Sequence, residues 1–149
     1  GGGTAGHPAN AAVPYVMTSP VWDTADGGTG GDVVQLIDVP ADTMVVAGCL
    51  EVLEARGNGQ ITLDVGITGG DVDCFVDGSA CAAGFTPFLE AAVGASGSNA
   101  RILTSADTID ALILDGGSSG ESALRFRIHV VLADISKNPT ESATVSTGT

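Results

Sequence analysis

The chain has 149 residues, of which 44% are hydrophobic, only 4% are aromatic and 22 are glycine. This length fits one domain that can form its core without a disulfide or a metal ion. Eighteen acidic residues against five basic ones give a net charge of −13. Such a surface repels nucleic acid phosphates and anionic lipids, so the composition argues against both as partners of the folded body. The abundance of glycine favours short strands and tight turns.

The sequence shows neither a membrane segment nor a signal peptide. No stretch approaches the ~18 consecutive apolar residues that a membrane helix needs. The first eight residues, GGGTAGHP, lack the basic and apolar regions of a leader. The three cysteines, Cys49, Cys74 and Cys81, form an odd set, so we expect reduced thiols in a protein assembled inside cells. A bridge between Cys74 and Cys81 is the alternative.

The composition divides the chain into three parts. Residues 1–20 contain Pro8, Pro14 and Pro20 and no core pattern, which predicts an extended N-terminal arm. Residues 137–149 are polar and rich in serine and threonine, which predicts a C-terminal tail. Residues 21–136 form the body.

Strand patterns recur at short spacing along the body. Residues 43–56 could also be a helix, because Leu50, Leu53 and Glu54 fit a helical period, but Gly48 in the middle favours a strand. Residues 60–68 alternate between an apolar and a polar face. The intervening Gly57-Asn58-Gly59 predicts a hairpin between these two segments, with Leu53 opposite Leu63.

The complete series predicts an all-β protein. About eight strands separated by glycine-rich loops are typical of a β-sandwich, here of jelly-roll type. The predicted strands are 32–40, 43–56, 60–68, 72–76, part of 85–93, 100–103, 108–114 and 122–135.

One motif could indicate an enzyme. Gly116-Gly117-Ser118-Ser119-Gly120 matches the G-x-S-x-G pattern of serine hydrolases. That chemistry requires a strand-to-helix elbow, whereas here the motif joins two predicted strands. Glu121 is the one acid that could complete a triad with His129. We therefore interpret the motif as a hairpin loop and predict no catalytic residue and no cofactor.

Three aspartates are weak candidates for a calcium site. Asp71 and Asp73 are two residues apart, so on a strand they would point to the same side, with Asp77 nearby. The segment lacks the spacing of an EF-hand, and a solvated acidic loop is the simpler interpretation. We therefore predict no metal site.

Other residues are candidates for an interface. Arg125, Arg127 and His129 share one face of the last strand. They could pair with carboxylates on a neighbouring strand or lie at a subunit contact. Trp22, the only tryptophan, could anchor the core or fill an interface. The remaining interface candidates are Val13 and Tyr15, which belong to the arm.

A resemblance covers about two thirds of the chain, from residue 33 to residue 135. It is carried by VVQLIDVPADTMVVAGCLEVLEA, LDVGITGGDVDCFVDG, SADTIDALIL and FRIHVVLADI. These segments resemble small structural proteins of tailed bacteriophages, particularly capsid cement or decoration proteins. VGITGGDVDCFVDG is the most specific of them, and none is a catalytic signature.

The resemblance implies a non-enzymatic β-sandwich on the outer surface of a virion. The expected partners are the major capsid protein and further copies of this chain, commonly in a trimer, with extended termini clamping neighbouring subunits. Assembly would take place in the host cytoplasm. The alternative is a ligand- or carbohydrate-binding β-sandwich, from a fibre or a secreted protein, that uses the Asp71/Asp73 loop with calcium.

Overall fold

The structure is a computed structural model that describes residues 12–23, 30–55, 61–67, 69–80, 82–89, 102–115 and 124–136. These residues form ten strands and no helix, which confirms the all-β prediction. Strand, rather than helix, is therefore correct for residues 43–55. The strands are β1 Pro14–Thr18, β2 Trp22–Asp23, β3 Val33–Val39, β4 Thr43–Ala55, β5 Ile61–Ile67, β6 Val76–Ala80, β7 Gly84–Pro87, β8 Ile102–Leu103, β9 Asp107–Asp115 and β10 Leu124–Asp134.

The strands form two antiparallel sheets. Sheet A has the order β1-β10-β4-β7, with β2 also beside β10 and β8 also beside β4. Sheet B has the order β3-β9-β5-β6. If β1 and β2 are counted as one interrupted strand, and β7 and β8 as another, each sheet contains four strands. The chain then alternates between the sheets, except that β5 and β6 are consecutive in sheet B, which is the connectivity of an eight-stranded jelly roll.

The core lies between the two sheets and follows the alternation of β10. Every second side chain of β10 from Leu124 to Leu132 is at most 1% exposed, whereas those between them are partly exposed. Leu50 and Val52 of β4 meet this row from sheet A, and Leu63 and Val65 of β5 meet it from sheet B. Burying both inner faces in one cluster is what holds a sandwich together.

The predicted hairpin between residues 43–56 and 60–68 is wrong. β4 belongs to sheet A and pairs with β10, β7 and β8, whereas β5 belongs to sheet B and pairs with β9 and β6. Leu53 and Leu63 therefore do not face each other. The connection itself, residues 56–60, lies outside the described residues.

Part of the predicted arm is a strand. Residues 14–18 form β1, which pairs with residues 129–133 of β10. Ser19 then fastens the end of β1, because its N–H donates to the Ile128 carbonyl and its Oγ accepts from the Ile128 N–H, both at 2.9 Å. The arm, body and tail divisions stay predictions, and residues 1–11 and 137–149 lie outside the described residues.

A loop covers the outer face of β5. The Ile67 N–H donates to the Asp71 carbonyl, and the Phe75 N–H donates to the Val65 carbonyl. Residues 72–75 are therefore turns, and the strand predicted at 72–76 instead begins at Val76. A Cβ on Gly66 would overlap the backbone of Asp71, so only glycine permits this close approach.

Candidate interaction surface

The exposed apolar side chains are concentrated on sheet A. Among the described residues, twelve large hydrophobic side chains are at least 36% exposed, and ten of them lie in sheet A or directly beside its strands. Only Val33 and Val72 lie in or beside sheet B. Concentration of this kind is typical of an interaction surface. The ten are Val13, Tyr15, Val16, Met17, Val21, Val46, Leu53, Phe85, Leu89 and Ile102.

β1 exposes apolar side chains on both of its faces. The pairing with β10 places Val16 beside Val131 on the outer face, and Tyr15 and Met17 beside buried core residues on the inner face. Val16 is 69% exposed, and Tyr15 and Met17 are each 38% exposed. Because β1 lies at the end of its sheet, the inner face of the sandwich leaves these two side chains partly uncovered.

The backbone of β1 is also open. None of the described residues pairs with its second edge. Since the Ser19 N–H points towards β10, alternation along an antiparallel ladder directs the N–H and carbonyl groups of Val16 and Thr18 away from β10. Pro14 also faces outwards, so its missing N–H costs no hydrogen bond within sheet A.

The other three sheet ends carry residues that discourage strand pairing. β3 contains Asp38, and β6 contains Asp77. In β7 the free edge falls at Phe85 and Pro87, because the Phe88 N–H points to Gly48 of β4. Charged side chains and proline are the usual means by which an edge is protected. β1 has no charged residue, and its one proline is the first of its five residues, so β1 offers the longest uncharged edge of the four sheet ends in the part of the chain that the structure describes.

The outer face of sheet A carries a compact network of charges centred on Glu51 of β4. Arg127 Nε donates to Glu51 Oε1 at 2.7 Å, and His129 Nε2 lies 2.8 Å from the same oxygen. The second ring nitrogen of His129 lies 2.8 Å from the Thr18 hydroxyl of β1. The hydrogen bonds from His129 and Arg127 lower the pKa of the Glu51 carboxyl. The network therefore joins three strands of sheet A.

The stripe formed by Arg125, Arg127 and His129 thus has partners on neighbouring strands. Arg125 lies 3.8 Å from Asp23 of β2 and 4.0 Å from Glu54 of β4, and Arg127 and His129 share Glu51. These contacts agree with the cross-strand interpretation of the stripe. The subunit-contact interpretation stays a prediction.

A second apolar feature lies at the opposite side of sheet A. Phe85 is 68% exposed, and its ring centroid lies 6.5 Å from that of His129. Next to it, a pocket of about 150 Å³ is lined by residues 45–48 and 87–89 and by Phe75. The Phe75 and Phe88 rings stack in its wall at 4.8 Å. Sequence reasoning did not single out Phe85, because one phenylalanine in a four-residue strand has no periodicity to reveal it.

Sheet B presents carboxylates instead of apolar side chains. Burial raises the pKa of Asp64, whose Oδ1 accepts a 2.6 Å hydrogen bond from the Gly78 N–H. A hydrogen bond with Asp71 raises the pKa of Asp73, and the charges of Asp71, Asp77 and Asp64 raise it further. The calcium candidates Asp71, Asp73 and Asp77 therefore lie close to one another. Among the described residues, however, no three side chains of ligand type are arranged to hold a metal ion.

The remaining candidates are interior or fall outside the structure. Trp22 packs against the core, and its buried Nε1 has no hydrogen-bond partner among the described residues. Cys49 and Cys74 are free thiols, and burial raises the pKa of Cys74 to about 12. Cys81 and the G-x-S-x-G motif at 116–120 lie outside the described residues. Within the described ranges, no helix is long and apolar enough to cross a membrane.

Comparison with known proteins gives structural neighbours but no sequence relatives. No protein family matches the sequence, and no curated protein is significantly similar to it. A chain in the capsid asymmetric unit of cyanophage Pam1 superposes with a TM-score of 0.61 at 16% identity, over 87% of this chain and 90% of that one. A chain in the acidic stable capsid of Helicobacter pylori bacteriophage KHP30 gives 0.59 at 16% identity, over 83% and 90%.

A third neighbour comes from the capsid of Ralstonia phage GP4, with a TM-score of 0.56 at 17% identity, over 88% of this chain and 89% of that one. In all three comparisons similar shares of both chains align, so each neighbour is a chain of about this length rather than a domain of a larger protein. The protein therefore shares its fold, over 83–88% of its length, with chains found in three bacteriophage capsids.

Proposed function

We propose that this protein is a non-enzymatic capsid decoration, or cement, protein of a bacteriophage. It binds the outer surface of the shell and stabilises the shell by bridging subunits. Its partners are the major capsid protein and further copies of itself. It acts on the virion after assembly in the host cytoplasm.

The observation that carries the proposal is the structural likeness, over 83–88% of this chain, to three chains of similar length in phage capsids. A fold by itself does not determine a function. Here, however, the same context recurs in three different phages.

The uneven surface of the molecule supports a bridging role. Ten of the twelve exposed large hydrophobic residues in the described ranges lie in sheet A or directly beside its strands, and the arginines of sheet A are paired with carboxylates of the same sheet. Docking sheet A would bury apolar area while leaving few charges without partners. Sheet B, whose strands contain aspartates but neither lysine nor arginine, would face solvent and keep decorated particles from associating. We therefore propose sheet A as the side that contacts the shell and neighbouring copies.

A trimer is the oligomer that the resemblance implies, and a three-fold contact that includes the stripe of Arg125, Arg127 and His129 remains part of the proposal. Because Arg127 and His129 already share Glu51, such a contact would have to use their remaining hydrogen-bonding capacity. Light scattering of the Arg125→Glu/Arg127→Glu variant against the wild type tests it. An unchanged mass would remove the stripe from the interface.

The decisive experiment is mass spectrometry of purified virions, with the copy number measured against the major capsid protein. A decoration protein is expected at a fixed stoichiometric ratio. The purified protein should also sediment with particles that lack it and raise their melting temperature. Absence from the particles, or a few copies per particle, would overturn the proposal. Calcium-dependent binding of a soluble carbohydrate would instead support the ligand-binding alternative.

A matched pair of variants tests the proposed orientation. Phe85→Ser changes an exposed apolar residue on sheet A, and Val33→Ser changes one on sheet B. Both side chains are at least 45% exposed, so both variants should fold. We expect Phe85→Ser to reduce binding to particles roughly tenfold or more, as expected for an apolar contact residue, and Val33→Ser to leave it unchanged. The reverse order would place sheet B against the shell.

A further inference from the structure

We propose that two copies of this chain join edge to edge through β1, in a two-fold contact that continues sheet A from one copy into the other. The occupant of the open edge is thus the β1 strand of a second copy. The inference rests on the geometry of β1, and it deepens the proposed function because it identifies one surface through which neighbouring copies are bridged.

The backbone of β1 can pair with itself in antiparallel fashion. A register centred on Val16 pairs all five residues of β1, with Pro14 opposite Thr18 of the second copy. The outward N–H and carbonyl groups of the two Val16 residues then bond each other reciprocally. Each Thr18 N–H meets the carbonyl of the opposite Pro14, whose missing N–H is not needed for that bond. This gives four backbone hydrogen bonds across the contact.

The side chains of β1 are self-complementary in the same register. The two Val16 side chains meet on the outer face, where each is 69% exposed in the single chain. On the inner face Tyr15 meets Met17 of the second copy, an aromatic–thioether pair that is favourable in cross-strand positions. The contact therefore covers the apolar side chains that β1 leaves exposed at the end of the sandwich.

The absence of charged residues near this edge allows two acidic molecules to approach each other there. Each copy carries a net charge of −13, but residues 1–22 contain no Asp, Glu, Lys or Arg. The protected ends at β3 and β6 instead carry Asp38 and Asp77, which would repel their counterparts. Repulsion between two copies is therefore smaller along β1 than along β3 or β6.

A head-to-tail contact between β1 of one copy and β7 of another is less favourable. β7 has four residues, its free edge includes Pro87, and Gly84 has a φ of +137° that departs from regular strand geometry. A β1–β7 contact would also form fewer backbone hydrogen bonds. We therefore expect the symmetric contact, which closes after two copies.

A five-residue strand pair buries a small interface, so the contact should be weak in solution and strengthened where copies are held close together on a particle. It also differs in symmetry from the proposed trimer. A three-fold contact makes a trimer, and a two-fold contact then links one trimer to the next. The two contacts can therefore operate together on one shell.

Disulfide trapping tests the contact directly. In a background with the native cysteines replaced (Cys49→Ala, Cys74→Ala, Cys81→Ser), Val16→Cys is compared with Val33→Cys. Val33 is the matched control, because it is an exposed valine, 45% exposed, on the end strand of sheet B. Under mild oxidation we expect Val16→Cys to form covalent dimers at least about tenfold faster than Val33→Cys. Equal rates, or faster trapping of Val16→Cys with Phe85→Cys than with itself, would overturn the symmetric contact.

Sedimentation velocity over a range of concentrations gives a second measure. We expect the wild-type oligomers to associate further in a concentration-dependent way, and this step should be abolished by Val16→Lys, which leaves a trimer intact, and retained by Val33→Lys, because the substituted lysines at position 16 would face each other across the two-fold axis. Association that Val16→Lys leaves unchanged would overturn the inference. A protein that fails to bind capsids but still forms the covalent dimer through Val16→Cys would overturn the decoration role alone. One that binds capsids without such trapping would overturn only the edge contact.

Discussion

The two sheets of the sandwich share one core but present opposite outer surfaces. The strands of sheet A carry Arg125 and Arg127 together with four acidic residues, and ion pairs connect the two arginines to three of those acids. The strands of sheet B contain neither lysine nor arginine, and of their aspartates Asp38 and Asp77 are exposed, whereas Asp64 and Asp110 are buried. Ten of twelve exposed large hydrophobic residues also belong to the sheet A side.

This difference explains how a protein with a net charge of −13 can still have a surface that associates with other proteins. A uniform acidic surface would oppose every protein–protein contact, whereas a sheet whose arginines are paired with its own carboxylates can associate more readily than a sheet without lysine or arginine. The pKa values of the carboxyl groups also differ between the two sheets. Partners lower the pKa of Glu51 on sheet A, whereas burial and neighbouring carboxylates raise the pKa values of Asp64 and Asp73 on the sheet B side.

The largest expected effect comes from a substitution in the core. It tests whether the two sheets, which differ in their outer surfaces, share one apolar interior. Leu63→Asp places a carboxylate at a side chain that is fully buried between the sheets, and we expect it to unfold the protein, at a cost of about 4 kcal/mol or more. Thr62→Asp, one residue away on the outer face, should cost less than about 1 kcal/mol. Thermal unfolding checks both. Equal losses would show that the two faces of β5 are not distinguished.

The second prediction concerns the edge of sheet A. Deleting residues 1–19 removes β1 and both hydrogen bonds between Ser19 and Ile128. We expect the remainder to fold with a free energy of unfolding lower by about 2–4 kcal/mol, because several strand hydrogen bonds are lost. Its binding to particles should weaken as well.

Deleting only residues 1–11 keeps β1 intact and is the matched control. We expect it to preserve the free energy of unfolding. Urea denaturation, with circular dichroism as the probe, measures the difference between the two deletions. A protein that loses no stability when residues 1–19 are removed would show that β1 is not part of sheet A.

The sequence was sufficient to predict strands but not their partners. Alternation identified β5 and β10, and Gly48 correctly favoured a strand over a helix in β4. The hairpin between β4 and β5 was wrong because consecutive strands in a jelly roll usually belong to different sheets. A glycine-rich loop predicts that the chain turns, whereas strand pairing depends on contacts distant in sequence. β4, for example, pairs with a strand some 80 residues later.

The candidate surface was predictable only in part. The stripe on β10 was visible because charged residues alternate with apolar ones, but its partner Glu51 lies 76 residues away. The exposure of Val16 and Phe85 depends on their strands lying at the two ends of sheet A. No local pattern distinguishes an end strand from a central one. The network around Glu51 and the open edge of β1 therefore emerge only from the assembled sheet.

The third prediction tests how the outer face of sheet B is covered. Gly66→Ala would force its Cβ into the backbone of Asp71 and Val72, so we expect a loss of about 1–3 kcal/mol as the loop over β5 is displaced. Gly70→Ala meets its nearest atom at 4.0 Å and should be nearly neutral. Chemical denaturation of the two variants provides the comparison. A neutral Gly66→Ala would mean that the loop does not lie against β5.

The smallest expected effect is a pair of opposite pH dependences. The pKa of Glu51 is lowered in the folded state, so its contribution to stability is complete above the ordinary value of about 4.5 and is lost as the pH falls through the lowered value. Glu51→Gln should therefore melt below the wild type at pH 7, by about 1–3 °C, and approach it in acid.

Asp73 should behave in the opposite way. Its pKa is raised in the folded state, so it contributes most below its ordinary value of about 3.8, and that contribution is lost as the pH rises through the raised value. Asp73→Asn should therefore equal or exceed the wild-type melting temperature at pH 7, and lose this advantage in acid. Calorimetry from pH 3 to pH 7 measures both variants. Parallel shifts of the two variants with pH would mean that the carboxylates of the two sheets do not differ in environment, and the division into a charge-paired side and an acidic side would then be wrong.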